Sequence, residues 1–241
     1  MHYAWYLASL TTLAVGTLAL SDSATQPAAS APASAPATQA DAPSFVARLK
    51  AGQKQHIVTY GTSLTEGGAW VGHLRATLNK QFPGLATVTN SGVGAQWSTW
   101  GVENLKPRVL DKHPDAVIIE FGINDAFLEY KTSLEQTRKN LESMINQILA
   151  QNPHCQIILQ TMNPPVREHL ERRPNVEQYY QLYRDIAKER HLLLVDHYPV
   201  WKKLLDTDPK KFDEYVPDGI HPSVTGYEKI TTPTLLKALG L

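Results

Sequence analysis

Cysteine is nearly absent from this 241-residue chain, whose only cysteine is Cys155. A lone cysteine excludes an intrachain disulfide and a metal cluster held by cysteines. Cys155 opens an apolar run typical of a buried strand, so we interpret it as an inert core thiol rather than a reactive one. The histidines lack the spacing of metal ligands, and no metal site is predicted.

Net charge is also lacking. Lys and Arg together number 23, as do Asp and Glu, and the formal net charge is zero. No long block of like charge is present, which argues against a nucleic-acid groove or an anionic membrane surface as the partner. A small molecule or a neutral polymer is the expected substrate.

No uninterrupted apolar run is long enough to span a bilayer. Residues 7–20 form an apolar stretch broken by Ser and Thr, which is too short for a span but suits the central region of a signal peptide. We predict a signal peptide over residues 1–23, export to the periplasm or the exterior, and no stable membrane insertion after processing. Because residues 1–6 contain no Lys or Arg, an uncleaved anchor or a start-site error stays open.

Residues 24–43 contain nine Ala and four Pro among twenty positions. Such a composition cannot build a packed core and predicts an extended linker. The folded domain is therefore expected over residues 44–241.

Five short apolar runs within that domain predict strands. Four have the character of buried strands, and Ala86–Thr89 alternates apolar and hydroxyl residues as an edge strand does. The buried runs are His56–Tyr60, Ala116–Phe121, Gln156–Thr161 and Leu192–Val195.

Helical patterns lie between the predicted strands. Trp70, Val71, Leu74, Leu78 and Phe82 recur at the spacing of one helix face, and two further sets begin near Leu141 and Val176. Ser133 and Gln136 predict a capping box before the second of these helices. Strands alternating with amphipathic helices predict an α/β fold, a three-layer sandwich around a parallel sheet.

Chemistry-bearing residues follow several of these strands, where open parallel sheets bind ligands. Ser63 follows the first strand, and Asp218-Gly219-Ile220-His221 follows the fifth after a polar stretch. A serine hydroxyl needs a base such as histidine to remove its proton, and the imidazole needs an acceptor on its other nitrogen. Asp218 reaches His221 if the segment turns tightly, which Gly219 permits.

A tetrahedral intermediate would also need hydrogen-bond donors for its oxyanion. The N–H of Gly92 follows the second strand, the side-chain amide of Asn124 follows the third, and the N–H of Ser63 offers another donor. The sequence thus contains candidates for each part of an acyl-transfer site.

Ser63, Gly92, Asn124 and His221 resemble, in order and context, the four blocks of the SGNH (GDSL-type) hydrolases. The resemblance covers the chain from about Gln55 to the last helix. It implies a flavodoxin-like sheet of strand order 2-1-3-4-5 and ester hydrolysis without a metal or cofactor. It also implies that Ser63 is the nucleophile, His221 the base and Asp218 its orienting acid, with Ser63, Gly92 and Asn124 as oxyanion donors.

Two features depart from the family pattern. Thr62 stands where the family usually has aspartate, and we expect altered support of the loop rather than lost catalysis. Trp97 and Trp100 follow the glycines of the second block. Together with Trp70 they are interpreted either as platforms that stack on sugar rings or as core packing.

Simpler interpretations compete at several positions. Ser63 alone could cap a helix, and Asn124 with Asp125 could form a turn at the end of a strand. Asp196-His197 is also an acid next to a histidine, but adjacent residues at a strand end point to opposite sides, so we interpret this pair as structural.

The leading functional hypothesis is a serine esterase that works through an acyl-enzyme and removes small acyl groups, notably acetyl, from carbohydrate. A lysophospholipase, a short-chain thioesterase or an acyltransferase could use the same triad. Hypotheses of other classes are a phosphate- or flavin-binding flavodoxin-like protein and an inactive carbohydrate-binding module. The sequence does not indicate an oligomeric state.

Overall fold

A parallel sheet of five strands forms the centre of the structure, a computed structural model that describes residues 43–241. The strand order is β2-β1-β3-β4-β5, which confirms the predicted order and places the Ala86 strand at an edge. The strands are β1 (Gln55–Gly61), β2 (Ala86–Asn90), β3 (Ala116–Glu120), β4 (Gln156–Gln160) and β5 (Leu193–Val195). The predicted signal peptide, residues 1–23, lies outside the described residues, as does the predicted linker except for its last residue.

Helices follow the strands on both sides of the sheet. They are α1 (Phe45–Lys50), α2 (Ser63–Glu66), α3 (Ala69–Gln81), α4 (Ser98–Glu103), α5 (Leu105–Arg108), α6 (Gly122–Asp125), α7 (Leu134–Gln151), α8 (Glu168–Glu171), α9 (Val176–Glu189), α10 (Tyr198–Thr207), α11 (Pro209–Tyr215), α12 (Val224–Gly226) and α13 (Thr232–Leu239). Short 3₁₀ turns cover Leu110–Lys112 and Leu128–Tyr130, and a π-helical turn covers Tyr227–Thr231. None of the helices within residues 43–241 is both long and apolar enough to cross a membrane.

Alternate side chains of the strands enter two separate cores. On β3, Ile118 joins one core with α1, α3 and α13, while Val117 and Ile119 join the other with α7 and α9. This alternation is the period of two expected for a sheet covered on both faces. It confirms the three-layer sandwich.

The capping box predicted at the start of α7 is only partly present. The Ser133 hydroxyl accepts a hydrogen bond from the N–H of Gln136 at 3.1 Å, as the capping box predicts. The side chain of Gln136 instead donates to Asn140 at 2.8 Å. The capping box is therefore only half formed, because a side-chain partner one turn further along the helix binds the amide of Gln136.

Burial decides how Trp70 and Cys155 are interpreted. Trp70 is fully buried and donates its indole N–H to the carbonyl of Leu64 at 2.9 Å, so it belongs to the core and cannot stack on a sugar. Cys155 is also buried, and burial raises the pKa of its thiol to about 12. The interpretation of Cys155 as an inert core thiol is confirmed.

A buried carboxyl group joins β3 to the turn that carries Ser63. Oε2 of Glu120 accepts hydrogen bonds from the N–H of Thr62 at 3.2 Å, from the Thr62 hydroxyl at 2.8 Å and from the Thr65 hydroxyl at 3.1 Å. The Thr62 hydroxyl also accepts from the N–H of Leu64 and so caps α2. Thr62 thus supports the loop as a donor to Glu120, where an aspartate would bring a second carboxylate.

Burial raises the pKa of Glu120 to about 8, because removal from water penalises the charged form more than the bonds from Thr62 and Thr65 favour it. Burial likewise raises the pKa of Asp125 to about 7, against the bond that it accepts from the N–H of Ser98. Both acids therefore bind protons more tightly in the folded protein than in the unfolded chain.

These shifts predict a loss of stability with rising pH. Between the unfolded pKa of 4.5 and the folded pKa of about 8, folded Glu120 holds more proton than unfolded Glu120, so the free energy of unfolding falls as pH rises. Glu120→Gln keeps an oxygen acceptor but cannot ionise. We expect its urea-unfolding free energy to fall less steeply between about pH 5 and pH 8 than that of the wild type.

Asp125 titrates in the same direction, so the slope becomes shallower rather than flat. Glu228→Gln, which removes an exposed carboxylate, is the matched control and should retain the wild-type slope. An unchanged slope in Glu120→Gln would show that Glu120 is ionised in the folded protein throughout this range.

Candidate active site

The structure brings Ser63, His221 and Asp218 into one hydrogen-bonded chain. Oγ of Ser63 lies 2.8 Å from Nε2 of His221, and Nδ1 of His221 lies 2.6 Å from Oδ2 of Asp218. The side chains of His221 and Asp218 are about half exposed, at 45% and 51%. The chain of contacts is therefore open to a substrate from solution.

Ser63 is the first residue of α2, directly beyond the carboxyl end of β1. Behind it, the carbonyl of Leu64 accepts hydrogen bonds from the indole of Trp70 at 2.9 Å and from the hydroxyl of Tyr227 at 3.2 Å. These bonds and those to Glu120 hold the turn from several directions, so the hydroxyl of Ser63 has a defined position.

The Asp218–His221 segment turns tightly, as its spacing predicts. Oδ1 of Asp218 accepts from the N–H of Ile220 at 3.0 Å and of His221 at 2.7 Å, while Oδ2 faces the imidazole. Gly219 adopts φ +89°, a conformation that glycine reaches without strain. Partial burial raises the pKa of Asp218, but the bonds from the two N–H groups and the ring outweigh burial, so the pKa lies below its usual value.

The loop after β4 supports this turn. Asn163 is fully buried and donates its side-chain amide to the carbonyl of Ile220 at 3.0 Å. Arg167 donates to the carbonyl of Pro217 at 2.8 Å and forms an ion pair with Asp213. The segment Met162-Asn163-Pro164-Pro165 is thus a buried support of the turn.

The loop after β2 differs from the sequence prediction. The N–H of Gly92 donates to Oδ1 of Asn90 at 3.0 Å, so this predicted oxyanion donor is already occupied. Asn90 bonds to the N–H two residues on, the usual Asx turn. A Cβ at position 92 would lie 2.6 Å from the backbone nitrogen of Glu66, which explains the glycine by close packing against α2.

Further along this loop, the N–H of Gly94 donates to Glu66 at 2.9 Å, and a Cβ on Gly94 would lie 3.8 Å from Cβ of Ser63. The next residue, Ala95, has φ +56°, and its carbonyl accepts a hydrogen bond from the hydroxyl of Tyr130 at 2.7 Å. Within residues 43–241, the N–H groups of Ala95 and Ser63 have no hydrogen-bond partner. Both therefore remain available to a ligand.

Asn124 is nearly buried at the end of β3. Its Nδ2 donates one hydrogen to the carbonyl of Gln96 at 2.9 Å, and its Oδ1 accepts from Nη2 of Arg173 at 3.1 Å. The second hydrogen on Nδ2 has no protein acceptor within the described range. Asn124 can therefore offer an N–H to a ligand, as its predicted role requires.

Trp97 and Trp100 have different environments. Trp100 lies in α4 and packs against the core with its ring 6.1 Å from that of Tyr60. Trp97 precedes the helix and stacks on Tyr130, with 4.4 Å between the ring centroids. Of these two residues, core packing fits Trp100, whereas the partly exposed pair Trp97–Tyr130 lies beside the Ala95 loop.

Asp196 and His197 do not pair. The carboxylate of Asp196 binds Arg184 at 2.7 Å and the hydroxyl of Thr161 at 2.6 Å. The ring nitrogens of His197 are buried without a hydrogen-bond partner in the described structure. Burial lowers the pKa of His197 to about 3, which keeps the imidazole neutral.

Sequence reasoning missed several supporting residues. Glu120 gave a signal, since it is the one acid in an otherwise apolar strand, but its partners could not be read from sequence. Asn163 sits after β4 in a loop whose role the sequence left open. Arg173 lies in a polar stretch and gave no signal. No cluster of three or more potential metal ligands occurs within residues 43–241.

Known proteins share this architecture. Residues 58–229 match the model of the GDSL-like lipase/acylhydrolase family. An acetylxylan esterase from Geobacillus stearothermophilus is 26% identical over 223 residues, which cover 80% of this chain and 97% of that protein.

Solved structures agree on the fold. A crystal structure of an acetylxylan esterase from Geobacillus stearothermophilus superposes with a TM-score of 0.67 at 24% identity, covering 78% of this chain and 95% of that one. An α/β hydrolase from the metagenome of Lake Arreo, Spain, gives a TM-score of 0.66 at 22% identity, covering 78% of this chain and 96% of that one.

The family match spans well over half of the chain and includes Ser63, Gly92, Asn124, Asp218 and His221. The sheet order and the fold of the solved structures agree with it. The chain therefore belongs to the GDSL-like lipase/acylhydrolase family and is an ester-bond hydrolase of the SGNH type.

Proposed function

We propose that this serine esterase removes small acyl groups, acetyl in particular, from carbohydrate. The observation that carries the catalytic part is the chain of contacts from Ser63 through His221 to Asp218, at 2.8 and 2.6 Å. The acetylxylan esterase relative, aligned over nearly its whole length, supports the substrate class. The predicted export and linker support it too, because polysaccharides are met outside the cell.

In the acylation step, Nε2 of His221 takes the proton of Ser63 as Oγ attacks the ester carbonyl carbon. Asp218 holds the imidazole with Nδ1–H towards itself and stabilises the imidazolium. The carbonyl oxygen becomes an oxyanion. His221 then gives its proton to the departing alcohol oxygen, which leaves an acetyl group on Ser63.

In the deacylation step, His221 takes a proton from water as the water oxygen attacks the acetyl carbon. Collapse of the second tetrahedral intermediate returns the proton to Oγ of Ser63 and releases acetate. A sugar hydroxyl in place of water would make the same site an acyltransferase.

The oxyanion donors follow from the free N–H groups. The N–H of Ser63 and the second Nδ2 hydrogen of Asn124 are two of them. Because the N–H of Gly92 is bound to Asn90, the third donor is the N–H of Ala95, in the segment of the loop that borders Ser63. Gly92 then serves the close packing of the loop against α2.

Asp218→Asn tests the orientation of the imidazole. The new amide would place an N–H against Nδ1 of His221, so the ring would have to carry its proton on Nε2, where it cannot accept from Ser63. We expect kcat for an acetyl chromogenic ester to fall by about 100-fold or more, as in other serine triads. Asp206→Asn, on the exposed surface of α10, is the control and should leave kcat unchanged. A loss below about threefold in Asp218→Asn would remove Asp218 from the mechanism.

A substrate panel tests the chemical class. Acetate release from acetylated xylan oligosaccharides should exceed, in kcat/KM, the hydrolysis of a lysophospholipid and of a short-chain acyl-thioester. Ser63→Ala should abolish every activity, and Ser143→Ala, a serine on the surface of α7, should abolish none. Preference for the lipid or the thioester would overturn the carbohydrate assignment, and acetyl transfer to a sugar faster than to water would make the protein a transferase.

A further inference from the structure

A buried guanidinium lies behind the candidate oxyanion donor Asn124. Arg173 is only 7% exposed, and it forms no ion pair with a carboxylate within the described residues. Its Nε donates to the carbonyl of Ile123 at 2.9 Å and its Nη2 to Oδ1 of Asn124 at 3.1 Å, while its Nη1 is buried without a partner. A buried charge without a counter-ion is costly, so its retention calls for an explanation.

Arg173 decides which way the amide of Asn124 faces. If the amide were flipped, Nδ2 would face the Nη2 donor of Arg173, and Oδ1 would face the carbonyl oxygen of Gln96. Both contacts would then be repulsive, since arginine only donates and a carbonyl only accepts. The guanidinium therefore fixes Asn124 with an N–H available to a ligand.

Arg173 also contributes its charge. A guanidinium stays protonated, and a fixed charge in a buried environment acts more strongly than one in water. In the resting enzyme no carboxylate of the described residues forms an ion pair with Arg173, although Glu129 acts on its charge from further away. An oxyanion that forms on Asn124 would add a negative charge one hydrogen-bonded amide away from the guanidinium, which is the preorganised arrangement that favours a transition state over a substrate.

We propose that Arg173 is a positioning residue for the tetrahedral intermediate: it orients and polarises the amide of Asn124, through which it stabilises the oxyanion. The inference rests on the proposed function, because it requires an oxyanion at this site. Arg173 does not touch the substrate itself, and its effect should therefore pass through Asn124.

The neighbouring residue is a matched control. The guanidinium of Arg172 lies 4.5 Å from the ring centroid of Phe127, as does that of Arg173. Arg172 pairs with Glu129 on the surface and has no bond to Asn124. Arg172→Met therefore makes the same chemical change against the same ring without touching the amide.

A double-mutant cycle with an aryl acetate tests the proposal. Arg173→Met should lower kcat about 10-fold or more with KM within about threefold, and Asn124→Ala about 100-fold. In the Asn124→Ala background, Arg173→Met should lower kcat by less than about twofold, because the residue through which it acts is gone. Binding of a boronic acid, a tetrahedral analogue, should weaken in Arg173→Met but not in Arg172→Met.

Additive losses in the two backgrounds, or an unchanged kcat in Arg173→Met, would overturn the proposal. If circular dichroism shows that Arg173→Met does not fold, the same cycle is measured with Arg173→Lys and judged by the same criteria. Lysine keeps the charge of arginine but not its planar fork. An inactive wild type would instead refute the proposed function. An active wild type with additive losses refutes only the role of Arg173.

Discussion

The hydrogen bond between Ser63 and His221 joins two residues that are 158 positions apart in the chain, at 2.8 Å. Ser63 is held by the end of β1, and the turn that carries His221 is held by Asn163 in the loop after β4, so the contact requires these parts of the fold to be assembled. The surrounding bonds fix each partner separately. Glu120 and the carbonyl of Leu64 fix the serine turn, and Asp218 and Asn163 fix the histidine turn. A shift of either turn would lengthen the one contact on which proton transfer depends.

Three buried ionisable groups, Glu120, Asp125 and Arg173, lie near the candidate active site and differ in how readily they lose their charge. Burial raises the pKa of both Glu120 and Asp125, so a part of their negative charge is lost near neutral pH. Arg173 cannot lose its charge in the same way, because a guanidinium stays protonated. The buried groups on this side of the site therefore become biased towards positive charge, which favours an oxyanion over a neutral ester.

The strands and main helices could be predicted from sequence because apolar periodicity reports directly on burial. The chemical residues could be predicted because each motif stands beyond its own strand, as Ser63, Asn124 and His221 do. The hydrogen bonds of the loop after β2 could not be predicted. Whether the N–H of Gly92 is free depends on where the side chain of Asn90 points, and that is set by the path of the whole loop. Arg173 escaped detection for the same reason, since its partner Asn124 is distant in sequence.

Covalent labelling tests whether Ser63 is the activated nucleophile that forms the acyl-enzyme. A fluorophosphonate reacts with a serine that an adjacent base activates, and the labelled peptide can be identified by mass spectrometry. We expect one labelled site, Ser63, in the wild type, no label in Ser63→Ala and much reduced labelling in His221→Ala. Labelling of a different residue, or equal labelling in His221→Ala, would contradict the assignment of Ser63 as the nucleophile activated by His221.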